Sequence, residues 1–161
     1  MNADRMATDM EILDLILEYS TNLGSKKFKV FGEFSQNVNS GVEKNCNYGC
    51  ATNSIADNLD KAWQLGFKLA SDKKMAKFGD WNMKALYRLT QQDSVFAALS
   101  DSDFHDSGTN SKGWKVGLKA ALRKGMTFGY SFFSTENERG ALDGSNYDIP
   151  GMHQFDLVMK F

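Results

Sequence analysis

Ser102, Asp103 and His105 are the residue types of a nucleophile, an acid and a base, and they lie close together in the chain. A catalytic triad is a spatial arrangement, so nearness in sequence carries no catalytic meaning by itself. No Gly-x-Ser-x-Gly turn and no phosphate-cradling glycine loop occurs. No catalytic residue is assigned, and the chain is read as a non-enzyme. Asp101, Asp103 and Asp106 could supply oxygens to calcium, but the spacing and closing Glu of an EF-hand are missing. A solvated acidic loop is the plainer account, and a loop folded inward to narrow a pore is a further alternative. Cys46 and Cys50 stand as Cys-Asn-Tyr-Gly-Cys. They read as a small disulfide loop in an oxidising exterior, with two free thiols as the alternative. There is no Cys-x-x-Cys-His for haem. A four-ligand zinc site is not expected, because His105 and His153 fall elsewhere. Neither metal nor cofactor is expected.

The remaining chemistry is charge at alternate positions. Lys29, Glu33, Lys68, Lys84, Arg88, Lys115 and Lys119 fall in step with small or polar residues. Between them stand large apolar side chains at the intervening positions. Period two is the signature of a strand with one apolar and one polar face. About seven segments show it, each of about nine to eleven residues, the length at which a tilted strand crosses a bilayer. They run over Met10–Asn22, Lys27–Asn37, Ala62–Asp72, Asp80–Thr90, Lys112–Arg123, Met126–Ser134 and Met152–Phe161. A helical wheel would scatter lysine and tryptophan around the third and fifth of these, so helix fits poorly.

If the polar face were sealed in a small core, its charges would need buried partners at high cost. In a water-filled lumen they are solvated. Lys29, Lys68, Lys84, Arg88, Lys115, Lys119 and Lys160 outnumber Asp14, Glu18, Glu33 and Asp156. Such a wall would concentrate anions, or would be passively solvated without selectivity. On the other face, Trp63, Trp81, Trp114, Phe128 and Tyr130 are candidates for lipid contact and headgroup girdles. Core packing in a sandwich is the competing account.

Composition agrees with strands. The 161 residues include one proline, 14 glycines and 12 phenylalanines, and the net charge of −1 gives no pull toward nucleic acid. Apolar residues make up 42%, yet mean hydropathy is −0.44. No run approaches the roughly 18 apolar residues of a transmembrane helix. A membrane protein of this profile must be a barrel, whose apolar residues are diluted by alternation.

Connections alternate in length. Leu23–Lys26, Lys73–Gly79 and Lys124–Gly125 are short; Val38–Lys61, Gln91–Ser111 and Thr135–Gly151 are long and polar. Short periplasmic turns and long extracellular loops give that pattern. Val95–Leu99 could form a helical turn within its loop. Phe155, Leu157, Met159 and Phe161 alternate to the final residue. This looks like the terminal signal by which barrel-insertion machinery takes up an edge strand; a core strand at the chain end is the plainer account. An odd strand count breaks the even-number rule of single-chain bacterial barrels. Met1–Asp9 lacks the charged and apolar regions of a signal peptide. Residues 1–161 are therefore expected to be one barrel segment, the carboxy-terminal part of something larger.

One block is more specific than alternation. Phe78-Gly79-Asp80-Trp81 opens a strand that carries Tyr87 and Arg88. Val95-Phe96-Ala97-Ala98-Leu99 and Asp101-Ser102-Asp103-Phe104 follow, and Thr109-Asn110-Ser111-Lys112-Gly113 opens the next strand. The block resembles the putative porin family of Gram-negative bacteria, with weaker similarity along most of the chain. The resemblance implies an outer-membrane channel for small solutes and a chain that is the tail of a larger barrel. It assigns no catalytic residue and no substrate. The cysteine pair and the lysine-rich face match no family pattern.

The expectation is thus all-β: an antiparallel, up-and-down transmembrane barrel segment passing small hydrophilic solutes or ions by diffusion. Its partners would be outer-membrane lipid, the insertion machinery and, as in many porins, further copies of itself. The alternatives are a soluble barrel or sandwich binding a ligand, and a plugged structural barrel of the outer membrane.

Overall fold

The computed structural model describes residues 11–38, 59–71, 77–91, 94–95, 103–105, 109–138 and 148–160. Cys46, Cys50, Asp101, Ser102, Asp106 and Phe161, the stretch 96–100 and the amino-terminal residues 1–10 lie outside them, and with them the readings made there.

Seven strands form one sheet in sequence order: β1 (Ile12–Leu23), β2 (Lys26–Asn37), β3 (Lys61–Ala70), β4 (Trp81–Thr90), β5 (Ser111–Arg123), β6 (Met126–Asn137) and β7 (Ile149–Met159). Every neighbouring pair is antiparallel. β1 and β7 are not hydrogen-bonded to each other, so the sheet is open. Among the described residues no helix is long and apolar enough to cross a membrane.

The alternation read in the sequence becomes register. Directly opposed residues share a face. One cross-strand row reads Tyr19, Val30, Phe67, Ala85, Val116, Phe132 and His153. The next reads Phe28, Leu69, Met83, Leu118, Tyr130 and Phe155. A one-residue slip anywhere would turn an apolar set onto the polar face, so the pattern fixes the pairing.

Two turns need glycine. The β1–β2 link is Gly24-Ser25 with Gly24 at φ 62°, and the β5–β6 link is Lys124-Gly125 with Gly125 at φ 78°. Side chains rarely adopt such φ values. At Gly125 a Cβ would also stand 2.8 Å from the Lys160 carbonyl, whose backbone N–H donates to Gly125 O at 2.7 Å.

The structure adjusts two boundaries. β6 continues to Asn137 and β7 begins at Ile149. The register shifts between Phe133 and Thr135, which absorbs Pro150 and Gly151. Pro150 lacks an N–H to donate, and it sits near the start of an edge strand, where proline is tolerated. A second irregularity between Ala121 and Arg123 puts Leu122 out of step.

Candidate pore wall

All seven charged candidates, Lys29, Glu33, Lys68, Lys84, Arg88, Lys115 and Lys119, fall on one face of the sheet. Four cross-strand rows order that face. Nearest the long connections, the row is Asp14, Ser35, Ala62, Thr90, Ser111 and Asn137. Next come Ile16, Glu33, Gln64, Arg88, Gly113 and Thr135. Then follow Glu18, Phe31, Gly66, Leu86, Lys115 and Phe133. Toward the short turns stand Lys29, Lys68, Lys84, Gly117, Ser131 and Gln154. The middle of the wall is basic. The described polar face of β3, β4 and β5 carries Lys68, Lys84, Arg88, Lys115 and Lys119 and no carboxylate. The carboxylates lie to the sides, on β1, β2 and β7.

The first row is not open. Ser35, Ala62, Thr90 and Ser111 are buried and Asn137 is half-buried; Leu59, Asp60, Ser94, Phe104 and His105 from the connections are buried too. Backbone bonds hold the connections down: Asn37 N–H donates to Asp60 O at 2.9 Å and Gln91 N–H to Lys61 O at 3.0 Å. Gln36 Nε2 donates to the Asp60 carboxylate at 3.1 Å.

The second row forms a polar chain. Gln64 Nε2 donates to Glu33. Its Oε1 accepts from Arg88 Nε at 3.3 Å and from Nη2 at 3.0 Å. The Arg88 guanidinium lies 5.1 Å from the Phe104 ring centre, a cation–π contact. The next residue, His105, continues across β6: Nδ1 is 3.0 Å from Thr135 Oγ1 and Nε2 is 2.9 Å from Asn137 Oδ1. An amide oxygen only accepts, so Nε2 carries a hydrogen. His105 has φ 51°, uncommon for a side-chain-bearing residue. Phe104 and His105 therefore reach from β4 to β6 over Gly113, which presents no side chain in between. A Cβ on Gly113 would meet the Ser134 carbonyl at 2.2 Å.

The two aromatics of the third row each lie against a cation. Lys84 Nζ is 4.9 Å from the Phe31 ring centre and Lys115 Nζ is 4.8 Å from that of Phe133. Phe31 reaches across β3 because Gly66 leaves room: a Cβ there would stand 2.5 Å from Phe31 Cζ. At the rim, Lys29 pairs with Glu18 at 2.7 Å, and Ser35 Oγ donates to Asp14.

The opposite face is apolar and uncovered. Leu15, Leu17, Leu65, Trp114, Phe155 and Leu157 are each more than half exposed. Trp63, Tyr87 and Trp114 stack toward the long connections, with ring centres 5.6 and 5.0 Å apart. Trp81 begins β4 at the short-turn end, with Lys26 Nζ 5.4 Å from its ring centre. Phe128, Tyr130 and Phe155 cluster nearby. Phe155, Leu157 and Met159 share this face on the edge strand β7.

The sequence model of the putative porin family matches residues 2–161, nearly the whole chain. The chain belongs to the putative porin family. No curated protein and no solved structure matches the chain. For this porin-family chain, sequence reasoning found the two faces but missed what covers the basic one. His105 was weighed as a catalytic or metal residue, yet the structure gives it a bridging position. Among the described residues no group of His, Cys, Asp and Glu is placed to hold a metal. Nothing in the periodicity signals that Phe104-His105 folds onto the wall. Gly113 and Gly66, gaps among larger side chains, were the available hint. His153 was missed too: it sits on the apolar face with Nδ1 2.9 Å from the Tyr130 hydroxyl.

Proposed function

We propose that this chain forms part of the wall of an outer-membrane channel that passes small hydrophilic solutes or ions by diffusion, without catalysis. One observation carries the reading: an apolar face, uncovered across seven strands, backs a face of charged and polar residues. A soluble protein rarely exposes so broad an apolar surface, whereas a bilayer covers it and a lumen hydrates the other side. Family membership supports the same reading. Trp63, Trp81, Trp114, Phe128 and Tyr130 then meet lipid, and Lys29, Glu33, Lys68, Lys84, Arg88, Lys115 and Lys119 line water.

Open edges cannot face hydrocarbon, because their backbone groups would lack partners. In the membrane β1 and β7 are joined by further strands, and residues 1–161 are one segment of a larger barrel. β7, which carries Phe155, Leu157 and Met159 and is followed in the sequence by Phe161, is the strand offered to the insertion machinery. Assembly with further copies of the protein belongs to the same proposal.

A second reading, a plugged structural barrel, is favoured by the buried row beneath Leu59, Asp60, Ser94, Phe104 and His105. Conductance separates the two. Native protein purified from outer membranes is expected to give ohmic single-channel steps in a planar bilayer. Stable insertion with no current favours the plugged barrel. A boiled native band much larger than 18.0 kDa on a gel supports the tail-of-a-barrel reading, and a band at that mass removes it.

A further inference from the structure

On the apolar face the side chains change character in the same order along two strands. At alternate positions β3 reads Lys61, Trp63, Leu65 and Phe67, and β5 reads Lys112, Trp114, Val116 and Leu118. In each, a cation stands two residues before a tryptophan, and apolar side chains follow. β4 lies between them and adds Leu89, Tyr87 and Ala85 to the same face. Both lysines stand at the long-connection end. Lys61 is exposed. Gln91 pins its backbone: the Lys61 N–H donates to Gln91 Oε1 at 3.1 Å, and the Lys61 carbonyl accepts from the Gln91 N–H at 3.0 Å. Lys112 is half-buried and pairs with Glu136 at 3.3 Å. An ammonium has three hydrogens, so it can hold Glu136 and donate to a second acceptor.

Beside the Trp63–Tyr87–Trp114 stack the face is hollow. Ala85 is the smallest side chain of its neighbourhood, opposed by Phe67 and Val116. A depression of about 700 Å³ opens there, lined by Phe28, Trp63, Phe67, Ala85, Tyr87 and Trp114 among others. That volume lies within the roughly 300–1,000 Å³ of small-molecule sites. Going down the face, the order is cations, ring stack, apolar hollow. An anionic lipid is built in the same order: a phosphate, a polar–apolar boundary of the kind where tryptophan sits, and an acyl chain.

We propose that this patch is a fixed binding site for one anionic, phosphate-bearing lipid of the bilayer. Lys61 and Lys112 hold the phosphate oxygens by charge-assisted hydrogen bonds. The Trp63–Tyr87–Trp114 stack borders the ester layer, and one acyl chain lies in the hollow over Ala85. β3 and β5 are two strand spacings apart, about 10 Å, a gap that two long lysine stems can close over one headgroup. The proposal rests on the reading that this face meets lipid, and adds that one lipid is held in place while its neighbours exchange. A second copy of this chain fits the patch less well. Docked face to face about a two-fold axis along the membrane normal, it would set Lys61 and Lys112 at the same depth as their own counterparts.

The test uses native full-length protein in which every tryptophan except Trp63 and Trp114 is replaced by phenylalanine. It is reconstituted at low ionic strength, where screening is weak, in phosphatidylcholine vesicles. These carry a rising fraction of either phosphatidylglycerol or phosphatidylcholine with brominated acyl chains, and tryptophan quenching reads occupancy. Brominated phosphatidylglycerol is expected to reach half its full quenching at a mole fraction about twentyfold lower than brominated phosphatidylcholine. Lys61→Gln and Lys112→Gln should each cut that preference about fivefold, the scale of one basic side chain near an anionic surface, and together they should abolish it. The pair Lys77→Gln and Lys124→Gln removes the same charge at the short-turn end and should leave it unchanged. Ala85→Leu fills the hollow and should weaken the preference with both lysines in place. Equal quenching by the two lipids overturns the site and leaves the membrane wall, as does a preference that survives the double lysine variant or is untouched by Ala85→Leu. Ready quenching by aqueous iodide, with none from either brominated lipid, removes both. Weak quenching by either lipid, together with disulfide-linked dimers of Leu65→Cys, would show that a second copy covers the hollow and would also overturn the site. A variant that no longer gives a heat-modifiable folded band is replaced by Lys61→Met, Lys112→Met or Ala85→Val.

Discussion

At the scale of single residues, the least replaceable positions on the wall are glycines that large neighbours overlie. At Gly66 a Cβ would meet Phe31 Cζ at 2.5 Å, the Ala85 carbonyl at 2.6 Å and Leu86 Cβ at 2.7 Å. Two of those contacts are with backbone or near-backbone atoms and cannot swing away. Gly32 lies on the apolar face, where the same probe meets only Leu65 Cδ1 at 3.7 Å and the Gln64 carbonyl at 3.8 Å. Gly66→Ala is therefore expected to lower folding stability by about 1–3 kcal/mol, the range of overpacking, whereas Gly32→Ala stays within about 0.5 kcal/mol of wild type. Urea unfolding of the native protein in lipid vesicles, followed by the heat-modified gel shift, reads both. Equal effects would remove the claim that Phe31 is seated by the gap at Gly66. Single residues are also where the sequence was least legible. Phe31 broke the polar half of its strand's alternation, and its purpose emerged only when Gly66 and Lys84 became its neighbours across two strand pairings. Phe104 and His105 belong to a connection, where period two carries no information and a backbone at positive φ leaves no compositional mark.

The strands were legible almost throughout, because a two-sided environment writes itself into every second residue. All seven were readable, and β2, β4 and β5 lie within a residue of the spans expected for them. The departures have local causes. β6 runs three residues past the expected Ser134, because Thr135, Glu136 and Asn137 pair with Gly113, Lys112 and Ser111 although their own pattern is polar. β7 starts three residues early, because a bulge accommodates Pro150. The two faces then make a prediction that belongs to the element. Leu65→Lys on β3 and Leu118→Lys on β5 each place a charge on the apolar face. Each is expected to cost about 2–4 kcal/mol near the bilayer midplane and to cut the yield of folded, membrane-inserted protein. Gln64→Lys, one residue away on the basic face, is expected to assemble normally. Immunoblots of folded and unfolded bands from outer-membrane fractions read all three. A loss with Gln64→Lys comparable to that with Leu65→Lys would invert the assignment of faces.

For the whole molecule, the open sheet matters more than any side chain. Among the described residues, seven strands with free edges at β1 and β7 make a wall and not a closed barrel, consistent with the part of a barrel that strand parity led the sequence reading to expect. What the parity could not foresee is the cover over the long-connection end. There, buried Ser35, Ala62, Thr90 and Ser111 turn a uniform polar face into one that is sealed near its rim and open below. The account's central claim is that the apolar face meets lipid and the basic face meets water. All three tryptophans of the sequence, Trp63, Trp81 and Trp114, lie on the apolar face, so they report on that division directly. In bilayers whose acyl chains carry bromine, tryptophan fluorescence is to be measured beside samples given aqueous iodide, using native protein with any tryptophans outside these three replaced. The account predicts strong quenching by the brominated chains and little by iodide. Ready quenching by iodide, with none from the brominated chains, would show that this face is wet and would contradict the membrane wall built upon it.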